Sequence, residues 1–430
     1  MNIFKKNYKI LIVFLILILF IFNYSNLKNS NFALNVKEYL KTNLSSEIFI
    51  FFQVLGDPER TAKKVNNDYN IFFLPETQLL KIDFKKINLM KNFKTKTNKA
   101  GYAKHLIQPV KQRFFIDQYD KNILIINTSG EFFHINYYDL EIGKLNNIKT
   151  NIKFKTVFDL FVHDETVYVS GEINDGECAK LQVIRSNILD LNEMNFEIIF
   201  ESEECVKGNA SGKIQKLYQI NKNSILLTTA GDVMQHKGND PKPQDDESIY
   251  GKILEIDINT KKISKFSKGH RNILGFYSDD EVILATEMGP RGGDEINKIE
   301  PGQNYGWPIA SYGTKYDYKL SNASLDYKGN HKKLDFKEPI FSFFSSIGIS
   351  EIIKINDSFS DKWKDSFLVA SLNGKHLYRI KFDEKFNKIF FIEDIFVNER
   401  IRDLIYFKEK NLILLALETS GSIGILKAID

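Results

Sequence analysis

From Gly269 to Gly313 the chain reads GHRNILGFYSDDEVILATEMGPRGGDEINKIEPGQNYGWPIASYG, its densest collection of residue types able to do chemistry. Gly289, Gly292, Gly293, Gly302, Gly306 and Gly313 fall where backbone must turn sharply or approach a ligand closely. Glu287, Asp294 and Glu295 stand near those turns, beside the backbone carbonyls of Gly289 and Pro290. Carboxylate and carbonyl oxygens on irregular backbone suit a hard cation, Ca2+ first. His270 and Arg271, next to Asn272 at a strand end, form a cationic pair suited to an anionic ligand.

The elements that must position these groups are strands. A hairpin-like unit recurs: a turn rich in Asp, Asn or Lys, a short β-branched or aromatic strand, a glycine turn and a second strand. Six copies begin at Tyr119 (YDKNILIINTSGEFFHI), His163 (HDETVYVSGEINDGECAKLQVI), Asn221 (NKNSILLTTAGD with GKILEIDI), Ser278 (SDDEVILATEMG with DEINKI), Lys364 (KDSFLVASLNGKHLYRIKF) and Lys408 (KEKNLILLALETSGSIGILKA). One two-stranded hairpin cannot bury its own apolar face, so repetition at this length predicts a radial all-β array, a β-propeller. A further stretch from Tyr69, YNIFFLPETQLLKIDF, is either an extra hairpin or part of a closing blade.

The bulk numbers are those of an ordinary globular protein. Over 430 residues the formal charge is +4, and no dense Lys/Arg run with interleaved aromatics occurs, which argues against nucleic-acid binding. Lys5, Lys6 and Lys9 precede Ile10–Phe22, a run without a polar side chain. The following Asn23–Lys28 offers no good signal-peptidase site, so residues 1–25 are expected to be an uncleaved membrane anchor. The lysines stay cytoplasmic under the positive-inside rule, placing the rest on the extracytoplasmic side of a single-pass inner-membrane protein. Residues 26–105, with a weakly amphipathic stretch from Val36 to Phe52, are read as membrane-proximal, and 106–430 as the propeller. Cys178 and Cys205 are the only cysteines, compatible with one disulfide or with two separate thiols.

GHRN, ATE-x-GPRGGDE and EPG-x-NYGWP-x-x-SYG together resemble the signature of the glucose/sorbosone dehydrogenase family, which includes the soluble aldose sugar dehydrogenases. The resemblance is dense over those residues and thinner from about residue 110 onward. It implies a six-bladed propeller that uses pyrroloquinoline quinone and Ca2+ to oxidise aldose sugars in the periplasm. It assigns Gly289 and Pro290 as carbonyl ligands of a Ca2+ touching the quinone, and Glu295 and Tyr305 to a second, structural Ca2+. It places Arg271 and Asn272 against the quinone and makes Arg400 and Arg402, in ERIRDL, the pair that clamps the cofactor's carboxylates.

The pattern also breaks. The family's general base is a histidine about twenty residues before a Gly-Asp; here Gly231-Asp232 remains, but NASGKIQKLYQI (Asn209–Ile220) holds no histidine. His236 follows instead at a position that matches nothing, leaving Asp232 as a catalytic candidate. Ile273 and Leu274 stand where proline normally follows GHRN, KFKTVFDLFV from Lys153 replaces a glutamine-glycine-glycine stretch, and the cofactor-facing lysine aligns with Asn373, with Lys375 two residues on. Two readings follow: a membrane-anchored sugar or alcohol oxidoreductase with an altered base, or an inactive propeller that binds a ligand or protein.

Overall fold

Segments such as ILL, FLVA and LILLAL are apolar at every position, and a strand can bury such a run only when both of its faces are covered. The computed structural model describes residues 80–93, 112–207, 210–218, 223–232, 241–313 and 331–429, and in it these runs are the middle strands of six antiparallel sheets. The chain is an all-β, six-bladed propeller.

After β1 (Lys81–Asn88), the first blade runs outward through β2 (Phe114–Tyr119), β3 (Asn122–Asn127), β4 (Phe132–Asn136) and β5 (Asn146–Thr150). The second holds β6 (Thr156–His163), β7 (Thr166–Asp175), β8 (Cys178–Asn187) and β10 (Glu197–Glu201); short β9 (Glu193–Met194) pairs with β5. The third holds β11 (Ile214–Lys216), β12 (Ser224–Thr228), β13 (Lys252–Asp257) and β14 (Ile263–Lys268). The fourth holds β15 (Ile273–Ser278), β16 (Ile283–Glu287), β17 (Asp294–Lys298) and β18 (Phe341–Phe343). The fifth holds β19 (Ile349–Lys354), β20 (Ser366–Ser371), β21 (His376–Phe382) and β22 (Ile389–Phe396). The sixth holds β23 (Ile401–Phe407), β24 (Leu412–Leu417) and β25 (Ser422–Ile429), and its outermost strand is β1, antiparallel to β25.

That closing strand lies ahead of the boundary expected at residue 106, and its KIDF opening is the end of the stretch read from Tyr69. The six predicted hairpins are the second and third strands of the six blades. The core is divided to match: six apolar clusters each fill one seam between neighbouring blades, as where Phe114, Ile116 and Ile125 meet Phe407, Leu412 and Leu414. The segment expected to be an anchor lies outside the described residues; among those described, no helix is long and apolar enough to cross a membrane.

Cys178 and Cys205 form a disulfide, which resolves the alternative left open by the sequence. The bridge ties the start of β8 to the segment holding Glu204, whose carboxylate pairs with Lys242 and accepts from Ser248 Oγ at 2.7 Å. Closing 27 residues of chain contributes about 2–4 kcal/mol. Reduction is therefore expected to lower the melting temperature by several degrees in a thermal scan with dithiothreitol; coincident curves would remove the bridge from the list of stabilising elements.

Candidate functional site on one rim of the ring

Each blade has four antiparallel strands, and the chain passes from the outer strand of one blade to the inner strand of the next. Every inner strand therefore starts at the same rim. Arg113, Lys213, Arg271 and Arg400 stand at or just before such starts.

Arg271 is buried. Its Nη2 donates to Asp232 Oδ2 at 2.6 Å, and its Nη1 donates to the carbonyls of Met288 at 2.7 Å and Gly289 at 3.0 Å. Its backbone N–H donates to the Glu287 carboxylate, and its guanidinium lies 5.2 Å from the Trp307 ring. Gly231 makes this approach possible, since a Cβ there would sit 1.8 Å from the His270 carbonyl oxygen. Asp232 is thus an ion-pair partner with one oxygen committed, rather than an unengaged base. Asn272 is half-buried beside Arg271, and its carbonyl accepts from Met288 N at 2.8 Å.

The four predicted metal residues, Gly289, Pro290, Glu295 and Tyr305, line one small cavity of about 10 Å³ together with Glu287 and His331. That volume holds a single water or ion. Gly293 closes the turn from behind, where a Cβ would meet Gly313 N at 2.3 Å. Glu287 and Glu295 are cross-strand partners on β16 and β17, and Asn297 Nδ2 lies 3.4 Å from a carboxylate oxygen of each. Burial, then the Glu287 charge, push the Glu295 carboxyl well above the usual carboxylate range. His270 holds Glu287 from behind, with Nδ1 at 3.1 Å, and stacks on Tyr305 at 4.5 Å between centroids. The Tyr305 hydroxyl donates to Lys298 O at 2.6 Å and accepts from Glu300 N at 3.0 Å, so the ring walls the cavity while the hydroxyl serves a turn. His331 Nδ1 and Asn297 Oδ1 are buried without partners among the described residues.

A second cluster lies across blades five, six and one. Glu418, fully buried, accepts from Arg400 Nε at 2.6 Å, Arg402 Nε at 2.8 Å and Arg113 Nε at 3.3 Å. Arg400 Nη1 also donates to Asn373 Oδ1 at 2.6 Å. Lys375, on the same β20–β21 hairpin, is buried with its backbone in the left-handed region, at φ 58°. The charge of Arg271, Arg400 and Arg402 that the sequence left without a counter-ion is thus partly met from within, by Asp232 and Glu418. The second cluster still sets three guanidiniums against one carboxylate. Repulsion from Arg402 lowers the Arg113 pKa, moderated by solvent at a side chain that is 41% exposed.

The hub beneath the rim was not legible as a site. Asp403 accepts from Ile116 N at 2.9 Å, Asp117 from Val162 N at 2.6 Å, Asp159 from Ile214 N at 2.8 Å, and Glu351 from Phe276 N at 2.9 Å, each reaching from one blade's inner strand to a neighbour's. Lys213 bridges two of these acids, 2.5 Å from Asp159 and 2.6 Å from Glu351. Arg113, Glu418, His331 and these hub acids stand singly, in turns or in inner strands, where an isolated charge carries no local motif.

Comparison with known proteins bears on the fold and the family. The glucose/sorbosone dehydrogenase family model matches residues 120–425. Among curated relatives, the aldose sugar dehydrogenase YliI of Escherichia coli is 28% identical over 151 residues, covering 31% of this chain and 39% of that protein. Quinoprotein glucose dehydrogenase B of Acinetobacter calcoaceticus is 23% identical over 233 residues, covering 42% and 46%. The chain thus spans under half the length of these relatives. Among solved structures, a glucose dehydrogenase aligns with TM-score 0.62 at 20% identity, over 75% of this chain and 99% of that one. The quinone-bound aldose sugar dehydrogenase of Streptomyces coelicolor aligns with TM-score 0.55 at 16% identity, over 82% and 99%. At such identities the structural likeness speaks for the propeller alone. The family model, however, runs from the first blade into the last strand, through the motif turns that build the cavity, and on that ground the chain belongs to the glucose/sorbosone dehydrogenase family.

Proposed function

We propose that this protein is an oxidoreductase acting on the CH–OH group of aldose sugars or similar small alcohols, with pyrroloquinoline quinone and Ca2+. The observation that carries the proposal is the cluster of Arg113, Arg400 and Arg402 around the single carboxylate of Glu418. A surplus of guanidinium at a buried rim suits a ligand with several carboxylates, each able to take a charge-assisted pair of hydrogen bonds. Lys375 adds a cation on the same side. When bound, the quinone would supply the hydride acceptor.

A Ca2+ in the cavity on blade four would be held by Glu295, with Glu287 as its neighbour, while the unpartnered Nδ1 of His331 on the same wall leaves room for a bound water. Gly289 contributes less than the resemblance implied, since its carbonyl oxygen already accepts from Arg271. Arg271, held by Asp232 and the Met288 carbonyl, keeps a fixed orientation toward that cavity. The disulfide supports display of the ring in an oxidising, extracytoplasmic compartment.

A second reading, an inactive propeller that binds a ligand or protein, is favoured by one observation. No histidine occurs between His163 and His236, and Asp232 is occupied by Arg271. Titrating the full-length protein with pyrroloquinoline quinone and Ca2+, then adding aldoses with a redox dye, separates the two. Saturable absorbance change with dye reduction is expected. Binding without turnover would favour the second reading, and no binding would sink the first. Arg402→Ala is expected to weaken quinone binding roughly tenfold to a hundredfold, the range of a lost charge-assisted hydrogen bond.

A further inference from the structure

The end of the ring opposite this rim carries a separate basic cavity that the proposed chemistry does not use. β19 runs away from the rim, and Lys354 at its far end pairs with Phe367, so Ser366 lies at the distal end of blade five. There a cavity of about 360 Å³ is lined by Arg379, Lys362, Lys364, Lys381, Asp361 and Asp365, with Ser366 and Phe391 completing its wall. The four basic side chains outnumber the two acids.

Arg379 forms the floor and is fully buried. Its guanidinium carbon lies 4.8 Å from the centre of the Phe391 ring and 5.4 Å from that of Trp363. Glu393 takes Nε at 2.5 Å, and Nη1 donates to the Lys362 carbonyl at 3.2 Å. Nη2 is buried with no acceptor among the described residues, and the indole Nε1 of Trp363 lacks one as well. A buried guanidinium nitrogen without an acceptor is costly, and native interiors rarely leave one so. The lysines at the mouth are loosely engaged: Lys381 is 3.7 Å from Asp365, and Lys364 is 3.9 Å from Asp357. A buried guanidinium below and loosely paired ammoniums above suit a compact, multiply charged oxyanion better than a single carboxylate.

We propose that this cavity is a binding site for a phosphoryl group, lying over Arg379 and enclosed by Lys362, Lys364 and Lys381. The volume exceeds that of the anion, so the group is carried on a small organic body or on a lipid headgroup. The site is independent of the quinone reading.

The test is calorimetric titration of the full-length protein with inorganic phosphate and with glucose 6-phosphate at constant ionic strength. Cosedimentation with phosphatidylglycerol vesicles, against phosphatidylcholine vesicles, forms a parallel arm. One saturable site is expected, weakened at least tenfold by Arg379→Gln. Because that change also removes the partner of Glu393, the pair Lys362→Ala and Lys381→Ala, at the mouth of the cavity, serves as the second variant. It is expected to weaken binding at least threefold with the thermal transition unchanged. Saturation by the soluble phosphates points to a small solute, and vesicle binding lost in the lysine variant points to a lipid headgroup. Absence of saturation in both arms, or equal affinity in wild type and the lysine variant, would overturn the proposal.

Discussion

Replacing Glu418 by glutamine is expected to destabilise the protein by about 3–5 kcal/mol, the usual consequence of removing one member of a buried ionic group and leaving its partners unpaired. The carboxylate is fully buried and serves three arginines at once, so the variant leaves Arg113, Arg400 and Arg402 facing one another. Burial alone would raise its pKa, but Arg402, Arg113 and Arg400 outweigh that and hold the group well below the usual carboxylate range. A folded-state pKa depressed in this way gives stability that is complete above the unfolded value near 4.5 and is lost only as pH falls through the lower folded value. The wild-type contribution is therefore intact at pH 7, and the gap between wild type and Glu418→Gln should narrow only in strong acid. The same variant has an emptier anion site. Polycarboxylates such as citrate, or the quinone itself, should raise its melting temperature more than they raise that of the wild type. A variant as stable as the wild type at pH 7 would show that the arginines find other partners.

Lys213→Met is expected to be comparably severe, but with the opposite pH signature. Lys213 is the ammonium set among Asp159, Glu351 and Asp403, all buried. Burial raises the Asp159 carboxyl to about 6 even against the pull of Lys213, and burial pushes Asp403 well above the ordinary range, with Glu351 and Asp159 adding to it. Acids with raised folded pKa values stabilise fully below their unfolded values and lose that contribution as pH rises through the folded ones. Without the lysine, each deprotonation places an uncompensated charge in the hub. The loss should be small near pH 5 and reach about 3–5 kcal/mol at pH 8, as read from denaturant midpoints at the two values. An equal loss at both would mean that Lys213 acts through its packing against Phe115 instead of its charge.

The contrast between strand positions explains what could be read in advance. The second and third strands of each blade are covered on both faces, so β12, β20 and β24 carry apolar runs at their centres, and all six hairpins were legible. Inner strands mix buried polar groups with apolar ones, as in FFIDQY, TVFDLFVH and IRDLIYF, and β1 reads KIDFKKIN because only its edge meets the ring. Neither pattern announces a strand. The site was legible to the extent that it is local: Arg271, Gly289, Pro290, Glu295 and Tyr305 are close in sequence and share one cavity. Arg113 and Glu418 join only because blades meet, His331 returns to blade four after a long excursion of the chain between β17 and β18, and the hydroxyl of Tyr305 serves a turn. Arg400 and Arg402 could be picked out, but the carboxylate that neutralises part of their charge could not.

The ring is shut by pairing the first described strand with the last. A ribosome delivers β1 long before β25 exists, so the earliest segment must wait, unpaired, through synthesis of all six blades. Loop closure of this span is slow, which makes docking of β1 a natural late step in folding. Until it docks, β25 presents a bare edge able to recruit a strand from another chain. The lysines at 81, 85 and 86 work against such recruitment, since two copies of β1 brought together would set like charges side by side. The strand that completes the wheel is thus also the one whose composition guards it while it is still open.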